Sequence, residues 1–201
     1  MARRTFFSFH YKPDVQRAQI VKNSWVTRER EDAGFFDSSA FEAAKRTNDD
    51  TLKAFLIREM HGSSVVCILV GKETAHRRWV RYEIQRGIWD ERGILAVRIH
   101  TIRHFTDGVT TPGPNPLDLL GIHIKRTESG KSARFIERSS VIDGWSYSSD
   151  FGQVIPKWPY GALPSEGSHA LSSIFPIYDW AADGFNQLGG WLDKAATQAG
   201  R

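Results

Sequence analysis

The side chains with the clearest chemical potential lie in the stretch Arg77-Arg78-Trp79-Val80-Arg81-Tyr82-Glu83-Ile84. Trp79 and Glu83 are four residues apart, and on a helix that spacing puts them on one face. Val80, Ile84 and Ile88 form an adjoining apolar stripe, so Glu83 falls at the edge of a core, beside an indole. A carboxylate placed there is partly desolvated and can be tuned for catalysis. The same spacing also fits a plainer arrangement, with Glu83 paired to Arg78 or Arg86 on a solvated face.

The elements that would hold these residues read as alternating strands and helices. Arg4–Phe9 is a short aromatic strand, and Pro13 breaks it before Asp14, which is placed to cap a helix over Val15–Trp25. Gly34–Asp37 has the character of a very short second strand. Ser39 and Glu42 have capping-box spacing. A helix opening at Asp49 or Asp50 carries Leu52, Phe55, Leu56 and Met60 on one side. Ser64–Val70 is a nearly continuous β-branched run, as in a strand buried on both faces. The helix His76–Arg92 follows, with Gly93 as its stop, and then the strand Ile94–Ile99. This alternation implies a doubly wound α/β layout. Beyond it come a turn-rich loop at 110–116, a hairpin over 121–137, an irregular stretch at 143–167 and an amphipathic helix near Trp180–Leu192. The chain therefore reads as a single domain over 1–201, with a core of about 3–105 and an extension of about 106–195 packed on it.

In open α/β sheets ligands gather beyond the carboxyl ends of the strands. That rule selects Ser8, Phe9, His10 and Tyr11 after the first strand, Phe36 and Asp37 after the second, and the Gly71–Glu83 stretch after the third. Each has an ordinary reading as well. Phe9 and Phe36 suit a core, His10 a hydrogen-bonded loop, and Asp37 a helix cap or a ribose contact.

Composition narrows the classes. Hydrophobic residues at 40% and charged residues at 25% suit a chain that buries a core. A net charge of +4 without a basic tract favours a solvated surface or a small anionic partner over nucleic acid. No run approaches the roughly 20 apolar residues of a membrane span, and the amino terminus lacks a secretory pattern. With Cys67 as the single cysteine, no disulfide can form within the chain, so the cytoplasm is the expected compartment. His100 and His104 lack the intervening Glu of a zinc-protease helix, so no metal is expected. No glycine-rich phosphate loop or nucleophile elbow is present.

Several separated stretches resemble one family. RRWVRYEI is similar to the signature of TIR domains, an aromatic residue followed four positions later by an acid on the helix after the central strand. RTFFSFHY resembles the first TIR box. With NSWVT, FFD, GPNP and LSSIFPIYDWAADG in order, the chain resembles the TIR-like signalling proteins (ThsB type) of the bacterial Thoeris antiphage system, from near Arg3 to near Trp191. It departs from many TIR domains in having Val80 where Cys follows the motif Trp.

The resemblance implies a flavodoxin-like parallel sheet flanked by helices, with a family-specific C-terminal extension of hairpin, loop and helix. It implies an NAD⁺ glycohydrolase or ADP-ribosyl cyclase with Glu83 as the catalytic residue. NAD⁺ would be the substrate rather than a cofactor, enclosed by Ser8, Phe9, His10, Tyr11, Phe36, Asp37, Trp79 and Tyr82, with Arg78 or Arg81 on its pyrophosphate. It further implies a cyclic or modified ADP-ribose signal to an NAD⁺-depleting effector, a phage-derived trigger and a homo-oligomer. The competing reading is a non-enzymatic adaptor acting through self-association or scaffolding.

Overall fold

The computed structural model describes residues 4–26, 43–44, 46–128 and 130–201. The expectations for Gly34–Asp37 and for Ser39–Glu42 lie outside these residues. A parallel sheet of four strands in the order β1-β2-β3-β8 forms the centre. Its strands are β1 (Thr5–Ser8), β2 (Val65–Val70), β3 (Gly93–Arg98) and β8 (Ile177–Asp179). A second sheet, antiparallel, has the order β6-β5-β4-β7 and comprises β4 (Leu120–Thr127), β5 (Gly130–Glu137), β6 (Ser146–Tyr147) and β7 (Gly167–Ala170). The flavodoxin-like α/β expectation holds.

Side chains alternate across the parallel sheet and divide the core in two. Phe6, Val66, Ile68, Ile94 and Ala96 point to one side. There they meet helix α2 (Asp49–Met60), helix α3 (Arg78–Trp89) and the inner face of the antiparallel sheet, including Ile122 and Phe135. Phe7, Phe9, Val65, Cys67, Leu95 and Val97 point to the other side. They meet Ala18 and Val21 of helix α1 (Tyr11–Val26) and Leu188, Trp191 and Leu192 of helix α5 (Gly184–Gln198). Helix α4 (Pro116–Leu119) is a single turn capped by the Asn115 side chain.

Two elements follow the sequence closely. β2 is buried at every position, as a β-branched central strand requires. α2 buries Leu52, Phe55, Leu56 and Met60, the four positions its spacing selected, and Asn48 caps it by accepting from the Thr51 N–H.

Three details differ from expectation. α1 begins at Tyr11, so Pro13 lies in the first turn, where its missing N–H costs nothing, and Asp14 is not the cap. α3 ends at Trp89, and the left-handed residue after it is Glu91 (φ 59°) rather than Gly93. Gly93 starts β3 instead. A Cβ there would lie 2.5 Å from the Ala195 backbone, so its absence lets α5 settle on the sheet. The late helix begins at Gly184, and the residues before it form β8, which pairs Ala96 with Ile177 and Arg98 with Asp179.

The parallel sheet thus takes its fourth strand, and part of the cover of one face, from beyond residue 170. A chain ended at 105 loses both and exposes Leu95 and Val97. We expect such a truncation to show no cooperative urea transition by circular dichroism. Gly93→Ala in the full chain should cost about 1–3 kcal/mol by overpacking against α5, read as a lower urea midpoint at unchanged slope.

Candidate active site

The path from β2 into α3 is fixed by one threonine. The Thr74 hydroxyl, fully buried, accepts the Gly71 N–H at 2.9 Å and donates to the Leu69 carbonyl at 3.4 Å. A short turn over Thr74–His76 then delivers the chain to α3. Val80, Ile84 and Ile88 anchor that helix on the sheet. Gly87 brings it close, because a Cβ there would meet Val66 at 2.7 Å and Ile94 at 2.9 Å. One turn before Gly87, the same face carries Glu83.

Glu83 is 3% exposed. Its carboxyl accepts a very short hydrogen bond from the Ser8 hydroxyl at the end of β1. Ser8 has the parity of Phe6 and pairs in register with Ile68, so its side chain faces α3. Burial pushes the Glu83 carboxyl up to about 8, and the Ser8 hydrogen bond opposes this by favouring the charged form. The surface ion-pair reading does not hold: Arg86 pairs with Asp90 at 2.8 Å, and Arg78 with Asp49 at 2.7 Å.

The other expected residues separate into groups. Phe9 is buried in the core on the α1 side of the sheet and stacks on half-buried Tyr11 at 6.0 Å. It is therefore a packing residue across the sheet from Glu83. His10 is half-buried, with its Nδ1 3.7 Å from a Glu73 carboxylate oxygen, and Arg77 also pairs with Glu73. Trp79, half-buried, lies edge-on to Tyr82 at 5.7 Å and beneath the Arg78 guanidinium at 4.8 Å. Tyr82 is buried against Phe151. Arg78 and Tyr82 are on another flank of α3 from Glu83, since each residue advances the helix by about 100°. Phe36 and Asp37 lie outside the described residues.

Sequence reasoning passed over a second buried acid. Asp14 packs its carboxylate against Gly71 at the end of β2, and a Cβ on Gly71 would lie 2.1 Å from it. Arg17 pairs with it at 3.3 Å and binds the carbonyls of Ile102 and Gly108, each at 2.9 Å. These bonds tie α1 to the loop after β3. A glycine closing a strand beside an early helical Asp was the available signal. Gly87 is the other omission; a glycine inside an otherwise regular helix calls for a packing reason.

Among the described residues no cluster has the makings of a metal site, and no helix is long and apolar enough to cross a membrane. Cys67 is buried in β2, where burial raises its thiol pKa and leaves it inert.

Two comparisons bear on this geometry. A family described as "Thoeris protein ThsB, TIR-like domain" matches residues 6–104, the segment that carries both Ser8 and Glu83. A Bacillus cereus (strain MSX-D12) protein named "Putative cyclic ADP-D-ribose synthase ThsB1" is 35% identical over 201 residues, covering 96% of this chain and 100% of that one. Similarity over the full length, extension included, places this chain in the ThsB family of TIR-like Thoeris proteins.

Proposed function

We propose that the chain cleaves NAD⁺ at the nicotinamide–ribose bond and converts the ADP-ribosyl part to a cyclic or otherwise modified ADP-ribose. This product would signal to a separate NAD⁺-depleting effector in antiphage defence. The observation that carries the reading is a buried carboxyl, Glu83, held by Ser8 at the carboxyl end of the sheet. The name of the Bacillus cereus relative supports the product class.

The chemistry asks little of the protein beyond this. The C–N bond breaks with its electron pair going to nicotinamide, which leaves neutral from a cation and needs no general acid. One carboxylate stabilises the oxocarbenium-like ribose, and the second carboxylate of a glycosidase pair is not required. A hydroxyl of the same ADP-ribosyl group then attacks the anomeric carbon and passes its proton to the Glu83 carboxylate, or a ring nitrogen attacks through its lone pair. That outcome needs water excluded. The surroundings of Glu83 are already dry.

A carboxyl raised to about 8 is largely neutral at neutral pH. The positive nicotinamide ring, arriving beside it, favours the ionised form. Substrate thus favours the charge that stabilises its own oxocarbenium-like ribose. Access requires the Ser8–Glu83 contact to give way, which suits an enzyme held quiet until a trigger arrives.

Cells producing the protein during phage infection should accumulate an ADP-ribose-derived species detectable by mass spectrometry, and Glu83→Gln should remove it. Protection without any such species in the wild type would instead favour the adaptor reading. In purified active protein, kcat/KM should rise with pH through about 8, because it reports the free enzyme's base. Ser8→Ala should move that inflection upward, since the lost hydrogen bond favoured the carboxylate. Stability has the opposite sense. The native acid is raised, so its contribution is complete below the ordinary carboxyl range and is lost as pH rises towards about 8. The urea midpoint of the wild type should fall over that window relative to Glu83→Gln.

A further inference from the structure

Arg78, Arg81, Tyr82 and Gln85 recur at steps of three and four, so they form one stripe of α3, turned about 100° or more from Glu83. That stripe lines a cleft of about 330 Å³. Its far wall belongs to the antiparallel layer and includes Ser139, Ser149, Glu137 and Asp150.

Most of the charge in the cleft is matched. Asp150 lies 2.7 Å from Lys53 and 3.4 Å from Arg78, and Arg78 also holds Asp49. Glu137 accepts the Ser149 N–H at 3.2 Å. Two donors keep hydrogen-bonding capacity in reserve, Arg81 behind a long ion pair and Gln85 with no partner for its amide nitrogen among the described residues. Arg81 has a side chain only 16% exposed, with its nearest carboxylate, Glu137, at 3.9 Å. Its Nε donates to the Ala75 carbonyl at 2.9 Å, but its terminal nitrogens make no hydrogen bond among the described residues. Gln85 is 1% exposed; its amide oxygen accepts from Ser148 at 2.8 Å, and its amide nitrogen has no partner among the described residues.

The buried Gln85 amide nitrogen, without an acceptor among the described residues, calls for an explanation. Both residues line the same cleft, and each has donor capacity that an acceptor there would take up. An oxyanion supplies several acceptor oxygens at one point, and the guanidinium fork matches it in shape. Hydroxyls of Ser139 and Ser149 and the His76 ring add donors on the rim. The volume is at the lower end for small-molecule pockets.

We propose that this cleft binds the phosphate group of a small molecule, with Arg81 and Gln85 as its principal donors, at a site separate from the Glu83 centre. Its ligand bridges α3, which carries Glu83, to the antiparallel layer of the extension. It therefore offers a route by which a phosphorylated metabolite stabilises or shifts the catalytic helix. The assignment does not depend on what Glu83 does.

The test is isothermal titration of the full chain, in phosphate-free buffer, with inorganic phosphate, pyrophosphate and AMP. Saturable binding of at least one is expected, and the tightest of the three identifies the source of the phosphate. Arg81→Ala should weaken it at least tenfold and Gln85→Leu several-fold, while Glu83→Gln retains it. Near-UV circular dichroism checks that each variant folds. Should Arg81→Ala fail to fold, Arg81→Lys, which keeps the charge and loses the fork, should still weaken binding. No saturable binding, or binding indifferent to the Arg81 and Gln85 changes, overturns the site. Malonate binding as tightly as pyrophosphate overturns the choice of phosphate. Displacement of the probe by NAD⁺ in Glu83→Gln overturns the separation from the reaction centre.

Discussion

A carboxyl group withdrawn from water must be neutral, paired or hydrogen-bonded, and among the described residues Glu83 meets that condition through the Ser8 hydroxyl. Much of the surrounding geometry follows from this. Ser8 must end β1 with its side chain on the α3 side, which fixes the strand's parity and its register on β2. α3 must approach the sheet closely enough for the two groups to meet, which Gly87 permits. The turn entering α3 must hold its angle, which Thr74 secures with bonds to both Gly71 and Leu69. A one-residue slip of β1 would turn Ser8 to the α1 face and leave the acid without its partner.

The far side of the sheet solves a different problem. A parallel strand is buried on both faces and needs cover on each. α1 supplies only part of that cover, and α5 supplies the rest with Leu188, Trp191 and Leu192. β8 then protects the edge of β3 by three register pairs. The late segment therefore has two structural duties. Its helix and strand complete the parallel layer, while the antiparallel sheet and the loop after β6 cover α3 through Phe135 and Phe151.

What the sequence made legible tracks how local the determining physics is. β2, the apolar face of α2, the stripe on α3 and the hairpin are dictated by periodicity within a dozen residues, and each was readable. Glu83 was readable as a candidate from its motif, but its partner was not, because the strand's parity relative to a helix 75 residues away is a tertiary fact. β8 was missed for a similar reason. Ile177-Tyr178-Asp179 is too short to show alternation, and only its neighbour β3 makes it a strand. Phe9 illustrates the reverse error: adjacency to Ser8 in the chain puts it on the opposite face of the sheet.

In the proposed reaction, the buried resting state of Glu83 would let a water-poor site and a charged catalyst coexist. Among the described residues an ionised carboxylate in this position would have one donor, Ser8, where two or three normally hold one. Keeping the group protonated removes that conflict, and the fold tolerates the burial. The proposed reaction would need the charge only when a cation shares the enclosure, so ion and counter-ion would enter the low-dielectric space together. A more polar pocket would ionise Glu83 permanently, but it would admit the water that competes with an internal nucleophile. Under the proposed function, burial with a single described tether would favour cyclisation over hydrolysis while restraining the acid.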